Sequence, residues 1–68
     1  MKYEDFLKQT IYSEEFNKTA KMEEIDGKVY IIYDDKKILF KMLYEERLYD
    51  YLLIAAKHLF EASLKGII

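Results

Sequence analysis

Asp26-Gly27 lies between two runs of strand-forming residues, and this pair constrains the backbone more tightly than any other point in the chain. A two-residue hairpin turn of the favoured type needs positive φ at both central positions, which Asp tolerates and Gly adopts freely. Ala20 to Ile25 alternates in character before the pair, and Lys28 to Tyr33 is rich in Val, Ile and Tyr after it. Both runs therefore read as strands. Asp34-Asp35-Lys36-Lys37 follows as a polar turn, and Ile38-Leu39-Phe40-Lys41-Met42 as a third strand. The sequence predicts a three-stranded antiparallel meander.

The register follows from the turns. A two-residue turn at 26–27 pairs Met22 with Ile31 and Ala20 with Tyr33. A four-residue loop over 34–37 pairs Tyr33 with Ile38, Ile31 with Phe40 and Val29 with Met42. Cross-strand partners share a face. One face then carries Ala20, Met22, Val29, Ile31, Tyr33, Ile38, Phe40 and Met42, with Glu24 at its rim. The other carries Lys21, Glu23, Lys28 and Lys41 together with Ile25, Tyr30, Ile32 and Leu39.

Two helices flank the meander. Tyr3, Phe6, Leu7, Thr10 and Ile11 recur at helical spacing, so Tyr3 to Tyr12 reads as a short amphipathic helix. Ser13 before Glu14-Glu15 can cap one further turn, with Phe16 packing inward and Asn17 ending it. Tyr44 to Lys65 reads as one long helix, with Gly66 at the position of a terminating glycine and Ile67 placed for the hydrophobic contact that accompanies it. At 1.5 Å per residue it spans about 33 Å, against about 20 Å for a six-residue strand. One apolar stripe runs through Tyr44, Leu48, Leu52, Ala55 and Leu59, extended by Tyr51, Ala62 and Leu64. A second runs through Tyr49, Leu53, Ala56 and Phe60, with Ile54 beyond. The expected fold class is α+β in the order α-β-β-β-α, a single domain over 1–68 with both helices on the Ile31/Phe40 face.

A chain of 68 residues buries only about 60% of its unfolded surface, so its core is marginal without a staple. It has no cysteine, which rules out a disulfide or a thiolate metal site. Self-association is the remaining ordinary route to stability. The first stripe fills the core in this reading, and the second is expected to meet another chain.

Eleven basic residues against 13 acidic ones leave a net charge of -2. That balance advertises neither a nucleic-acid binder nor a mimic of one. Acids at Glu4 and Asp5 occupy the place of a signal's apolar stretch, and no apolar run reaches membrane-spanning length. A cytoplasmic protein with no membrane partner is the expectation.

No constellation for catalysis stands out, so no enzyme, catalytic residue or cofactor is expected. His58 is the only histidine. With Glu61 it supplies at most two of the three or four ligands a metal needs, and a solvent-facing position suits it better. Ser63 has no base at a recognisable spacing and reads as a small packing residue. Gly27 and Gly66 serve a turn and a cap, which leaves no glycine for a phosphate loop. The acid pairs Glu14-Glu15, Glu23-Glu24, Asp34-Asp35 and Glu45-Glu46 fall at a helix start, a strand rim, a turn and another helix start, where acids favour the helix dipole.

Seven tyrosines remain: Tyr3, Tyr12, Tyr30, Tyr33, Tyr44, Tyr49 and Tyr51. So small a protein cannot bury them all deeply, and tyrosine is common where one protein meets another. Candidate interface residues are Tyr49, Leu53, Ala56 and Phe60 on the helix, or Tyr30, Ile32 and Leu39 on the sheet. The leading function is a protein-interaction module, most simply a homodimer, that binds and blocks or organises another protein. Size and composition resemble those of phage and mobile-element accessory proteins, inhibitors of host defence among them.

The alternative is nucleic-acid binding, favoured by a modest basic patch of Lys28, Lys36, Lys37 and Lys41. The order of elements also resembles the double-stranded-RNA-binding domain over the whole chain. That family opens its second helix with phosphate-gripping lysines, where this chain has Tyr44-Glu45-Glu46-Arg47-Leu48. The Asp26-Gly27 turn is also shorter than the family's groove-probing loop. Both departures argue against membership.

Overall fold

A computed structural model describes residues 2–40 and 48–67. The elements are α1 (Tyr3–Leu7), β1 (Thr10–Ser13), β2 (Lys18–Ile25), β3 (Lys28–Tyr33), β4 (Lys36–Phe40) and α2 (Tyr49–Leu64). The strands form one antiparallel sheet in the order β1-β2-β3-β4. The class is α+β as expected, but the sheet has four strands rather than three.

The added strand corrects the first expectation. The helix stops at Leu7 instead of continuing to Tyr12, and the chain turns at Lys8-Gln9 into an extended run. Thr10, Ile11 and Tyr12 all favour a pleated backbone. Their register against β2, Ile11 opposite Ala20 and Ser13 opposite Lys18, puts Ile11 and Ser13 on the core face. Ser13 does serve as a local cap, because its Oγ accepts the Phe16 N–H at 3.4 Å. The loop it stabilises is a hairpin rather than a helical turn. Asn17 closes that loop with φ +50°, a conformation Asn tolerates better than most residues.

The Asp26-Gly27 turn is as expected, with φ +52° and +77° and Met22 opposite Ile31. The next loop is shorter than expected. Asp34-Asp35 alone makes the turn, so Tyr33 faces Lys36, Ile31 faces Ile38 and Val29 faces Phe40. This register differs from the expected one by two residues. A shift of two preserves which face each side chain occupies. Ala20, Met22, Val29, Ile31, Tyr33 and Phe40 are accordingly buried on one face, and Ile38 packs against them. The expected pairing of Met42 lies outside the described residues.

Both helices contribute to the same core. Phe6 of α1 lies 6.4 Å from the Phe40 ring and 5.2 Å from the Tyr49 ring, which ties α1, β4 and the start of α2 together. Phe60 meets Tyr33 edge-on at 5.0 Å farther along. The Tyr33 hydroxyl and Ser63 Oγ form a buried hydrogen bond beside that pair. Past Leu64, the Gly66 N–H bonds the Ser63 carbonyl and the Ile67 N–H bonds the Ala62 carbonyl, with Gly66 at φ +80°. This is the double bond pattern of a glycine-terminated helix. Ile67 itself is exposed rather than packed.

Candidate functional site: the outer face of the sheet

The structure separates the two groups of expected interface residues. Tyr49, Ala56 and Phe60 are buried in the chain's own core, and Leu53 packs against that core. This stripe was expected to meet another chain, but it is the inward face of α2 and is spent on folding. The stripe expected to fill the core is rotated toward solvent: Leu48, Tyr51 and Ala55 are exposed, while Leu52, Leu59 and Leu64 flank the core partly buried. The aromatic anchors decide the rotation. Tyr49 and Phe60 fit the gaps beside Phe6 and Tyr33.

Tyr30, Ile32 and Leu39 stay on the outer face, opposite both described helices. The register arranges them in rows. Thr10, Lys21, Ile32 and Lys37 form one row across the four strands. Glu23, Tyr30 and Leu39 form the next, and Ile25 and Lys28 the third. Tyr30, Ile32 and Leu39 thus adjoin at the centre, with Ile25 at one end and Tyr12 toward the other. Leu39 and Tyr12 are exposed, while Tyr30, Ile32 and Ile25 are half-buried among their neighbours. The described residues of this face carry three lysines, Lys21, Lys28 and Lys37, against Glu23. The face is therefore positive on a chain whose net charge is -2.

The groups considered for chemistry are dispersed. His58 is exposed on α2, as expected, and Glu61 is half-buried. The Ser63 hydroxyl is engaged by Tyr33. Among the described residues no three acids or histidines gather as a metal site would require. Glu14-Glu15 lies in the β1-β2 loop, Glu23-Glu24 in β2 and Asp34-Asp35 in the β3-β4 turn. The Lys18 ammonium donates to Asp34 Oδ2 at 2.8 Å, and that hydrogen bond, helped by the carboxylate's charge, raises the lysine above its ordinary value. Glu45-Glu46 lies outside the described residues.

The described tyrosines divide by environment: Tyr33 and Tyr49 are core, Tyr3 and Tyr30 half-buried, Tyr12 and Tyr51 exposed, while Tyr44 lies outside the described residues. The Tyr12 hydroxyl donates to Asn17 Oδ1 at 2.8 Å. No described helix is long and apolar enough to cross a membrane. Comparison with known protein families, curated proteins and solved structures finds no match to this chain. The topological resemblance to the RNA-binding domain does not survive the fourth strand.

Proposed function

We propose that the chain is a non-catalytic protein-interaction module that binds its partner through the outer face of the sheet and acts by occupying the surface it covers. The observation that carries this reading is the cluster of Tyr30, Ile32 and Leu39 with Lys21, Lys28, Lys37 and Glu23 around it. An apolar, aromatic centre within a charged rim is the anatomy of a protein interface. A rigid sheet also presents such a centre with little ordering cost on binding. Blocking of a larger protein, as a phage or mobile-element product blocks a host-defence factor, is the setting that the chain's size and composition suggest.

The rim charge selects among partners. Two copies apposed through this face would bring Lys21, Lys28 and Lys37 of each against those of the other, and like charges across an interface are costly. An acidic surface on a different protein is the better complement, so a hetero-complex takes precedence over the homodimer. A second reading is favoured by the same lysines around Tyr30: aromatic rings among cations also bind single-stranded nucleic acid. Retention of the chain on a single-stranded oligonucleotide, lost steeply with salt, would select that reading.

Photo-crosslinking in producing cells tests the proposal. A photoreactive phenylalanine replaces Tyr30 in one variant and His58 in another. The expected result is an adduct with a different protein from position 30 and none from position 58. Adducts from position 58 alone, or an adduct of twice the chain's own mass from position 30, would overturn it.

A further inference from the structure

The free edge of the sheet offers a second surface with a specific chemistry. Among the described residues β4 is the last strand in the order, hydrogen-bonded to β3 on one side only. The two-residue loop at Asp34-Asp35 makes Tyr33 and Lys36 the closing pair, so residues 36, 38 and 40 direct their backbone groups toward β3. Lys37 and Leu39 direct their N–H and C=O groups outward, as unpaired edge positions do.

α2 leaves room beside that edge. It starts in the aromatic cluster with Phe40 and ends near the β1-β2 loop, where Lys65 Nζ lies 3.5 Å from Glu15 Oε2. The helix therefore crosses the sheet diagonally, away from the Lys36 end of β4. An open groove of about 490 Å³ lies there, lined by Lys36, Lys37, Ile38, Leu39 and Ser63. A strand edge beside a helix, with backbone groups pointing into the gap, is the geometry of recognition by strand addition.

The lysines say what enters. Lys36 and Lys37 are consecutive on the edge strand and both exposed, Lys36 on the helix side with its Nζ 5.7 Å from the Tyr33 ring centre and Lys37 on the outer side. Asp34 in the adjoining turn is engaged by Lys18, which leaves Asp35 as the counter-charge nearest in sequence among the described residues. Antiparallel pairing of β4 with a second copy, centred on Ile38, would set Lys36 against Phe40 and Lys37 against Leu39, so neither lysine would meet a counter-charge. They are complementary to an acidic strand. From the register, the segment opposite residues 39, 38, 37 and 36 reads apolar, apolar, acidic, acidic in an antiparallel addition.

We propose that the β4 edge takes an extended acidic segment of a protein partner as a fifth strand, with backbone bonds to Lys37 and Leu39 and carboxylates beside Lys36 and Lys37. The inference rests on the reading of the chain as a protein-binding module and names the kind of segment it takes.

The test uses the full chain in solution with two capped hexapeptides, Ser-Val-Ile-Glu-Glu-Ser and Ser-Val-Ile-Lys-Lys-Ser. Amide NMR shifts and hydrogen exchange are followed as each is added to millimolar concentration. The expected result is movement and slowed exchange of the Lys37 and Leu39 amides with the acidic peptide, at an affinity about tenfold above that for the basic one. The double variant Lys36→Glu/Lys37→Glu, on the exposed edge, should invert that preference. Silence of β4 with both peptides would overturn the proposal, as would equal binding of both by native and inverted chains. Shifts confined to Tyr30 and Ile32 would overturn it as well. A silent edge with an intact crosslink at position 30 sinks this inference alone, whereas loss of both sinks the binding-module reading too.

Discussion

Replacing Phe60 with alanine separates a core residue from an interface residue. The ring is fully buried and meets Tyr33 edge-on at 5.0 Å. An aromatic side chain removes about 150–250 Å² from water, worth about 4–6 kcal/mol at 25 cal/mol per Å². Alanine keeps part of that, and the edge-on contact adds about 1 kcal/mol, so the expected cost is about 3–5 kcal/mol. A chain of 68 residues has a total stability of about 3–10 kcal/mol. Phe60→Ala therefore removes a large share of the fold's stability. Urea denaturation followed by circular dichroism should show the midpoint falling by about 2–3 M, or no folded baseline at all. Phe60→Leu keeps most of the volume and should cost under about 1.5 kcal/mol, which leaves a measurable transition if the alanine variant is unfolded. A midpoint lowered by less than about 1 M would refute the placement. So would a native dimer that Phe60→Ala splits into a folded monomer.

Four further outcomes follow from named residues. Ser63→Ala strands the buried Tyr33 hydroxyl and should cost about 1–2 kcal/mol. Tyr33→Phe should cost less, because Ser63 can turn to its own helix carbonyls, and a double-mutant cycle by urea denaturation should show a coupling of about 1 kcal/mol. Gly27→Ala meets nothing within 4 Å yet must hold φ +77°, so it should destabilise by about 1 kcal/mol through the backbone alone in thermal melts. Lys18 has a raised folded value, so the stabilisation its protonation contributes is fully present below 10.5 and is lost as pH climbs through that raised value. Nitrogen NMR of the Lys18 ammonium should show Asp34→Asn lowering its titration midpoint.

Turn chemistry and side-chain parity made much of the sheet legible. Asp26-Gly27 fixed one hairpin outright. The second was expected two residues too long, yet the faces were assigned correctly because a slip of two returns every side chain to its own side. The first strand was hidden because Tyr3, Phe6, Leu7, Thr10 and Ile11 satisfy a helical period. Ile11 and Ser13 equally satisfy a period of two, and the β-branched Thr10-Ile11 pair was the available signal. Asn17, read as a helix end, also had the tolerance for positive φ that a hairpin closure needs.

The rotation of α2 was not legible for a different reason. Its two stripes are similar in apolarity, and periodicity alone does not rank them. What ranks them is the meeting of Tyr49 with Phe6 and of Phe60 and Ser63 with Tyr33, contacts that exist only once the sheet has formed. The outer-face residues Tyr30, Ile32 and Leu39 were visible earlier, since strand alternation placed them opposite the core without reference to either helix.

The most direct test compares two tyrosines on different surfaces, using the protein captured through position 30. Its affinity is measured by calorimetry for the native chain, for Tyr30→Ala and for Tyr51→Ala. Tyr51 is 72% exposed on α2, whereas Tyr30 is half-buried at the centre of the outer face. Tyr30→Ala should lose about 30-fold or more in affinity, as for a central anchor, and Tyr51→Ala should change it within about twofold. The reverse order, with Tyr51→Ala abolishing binding and Tyr30→Ala tolerated, would contradict it and move the contact surface to the helix.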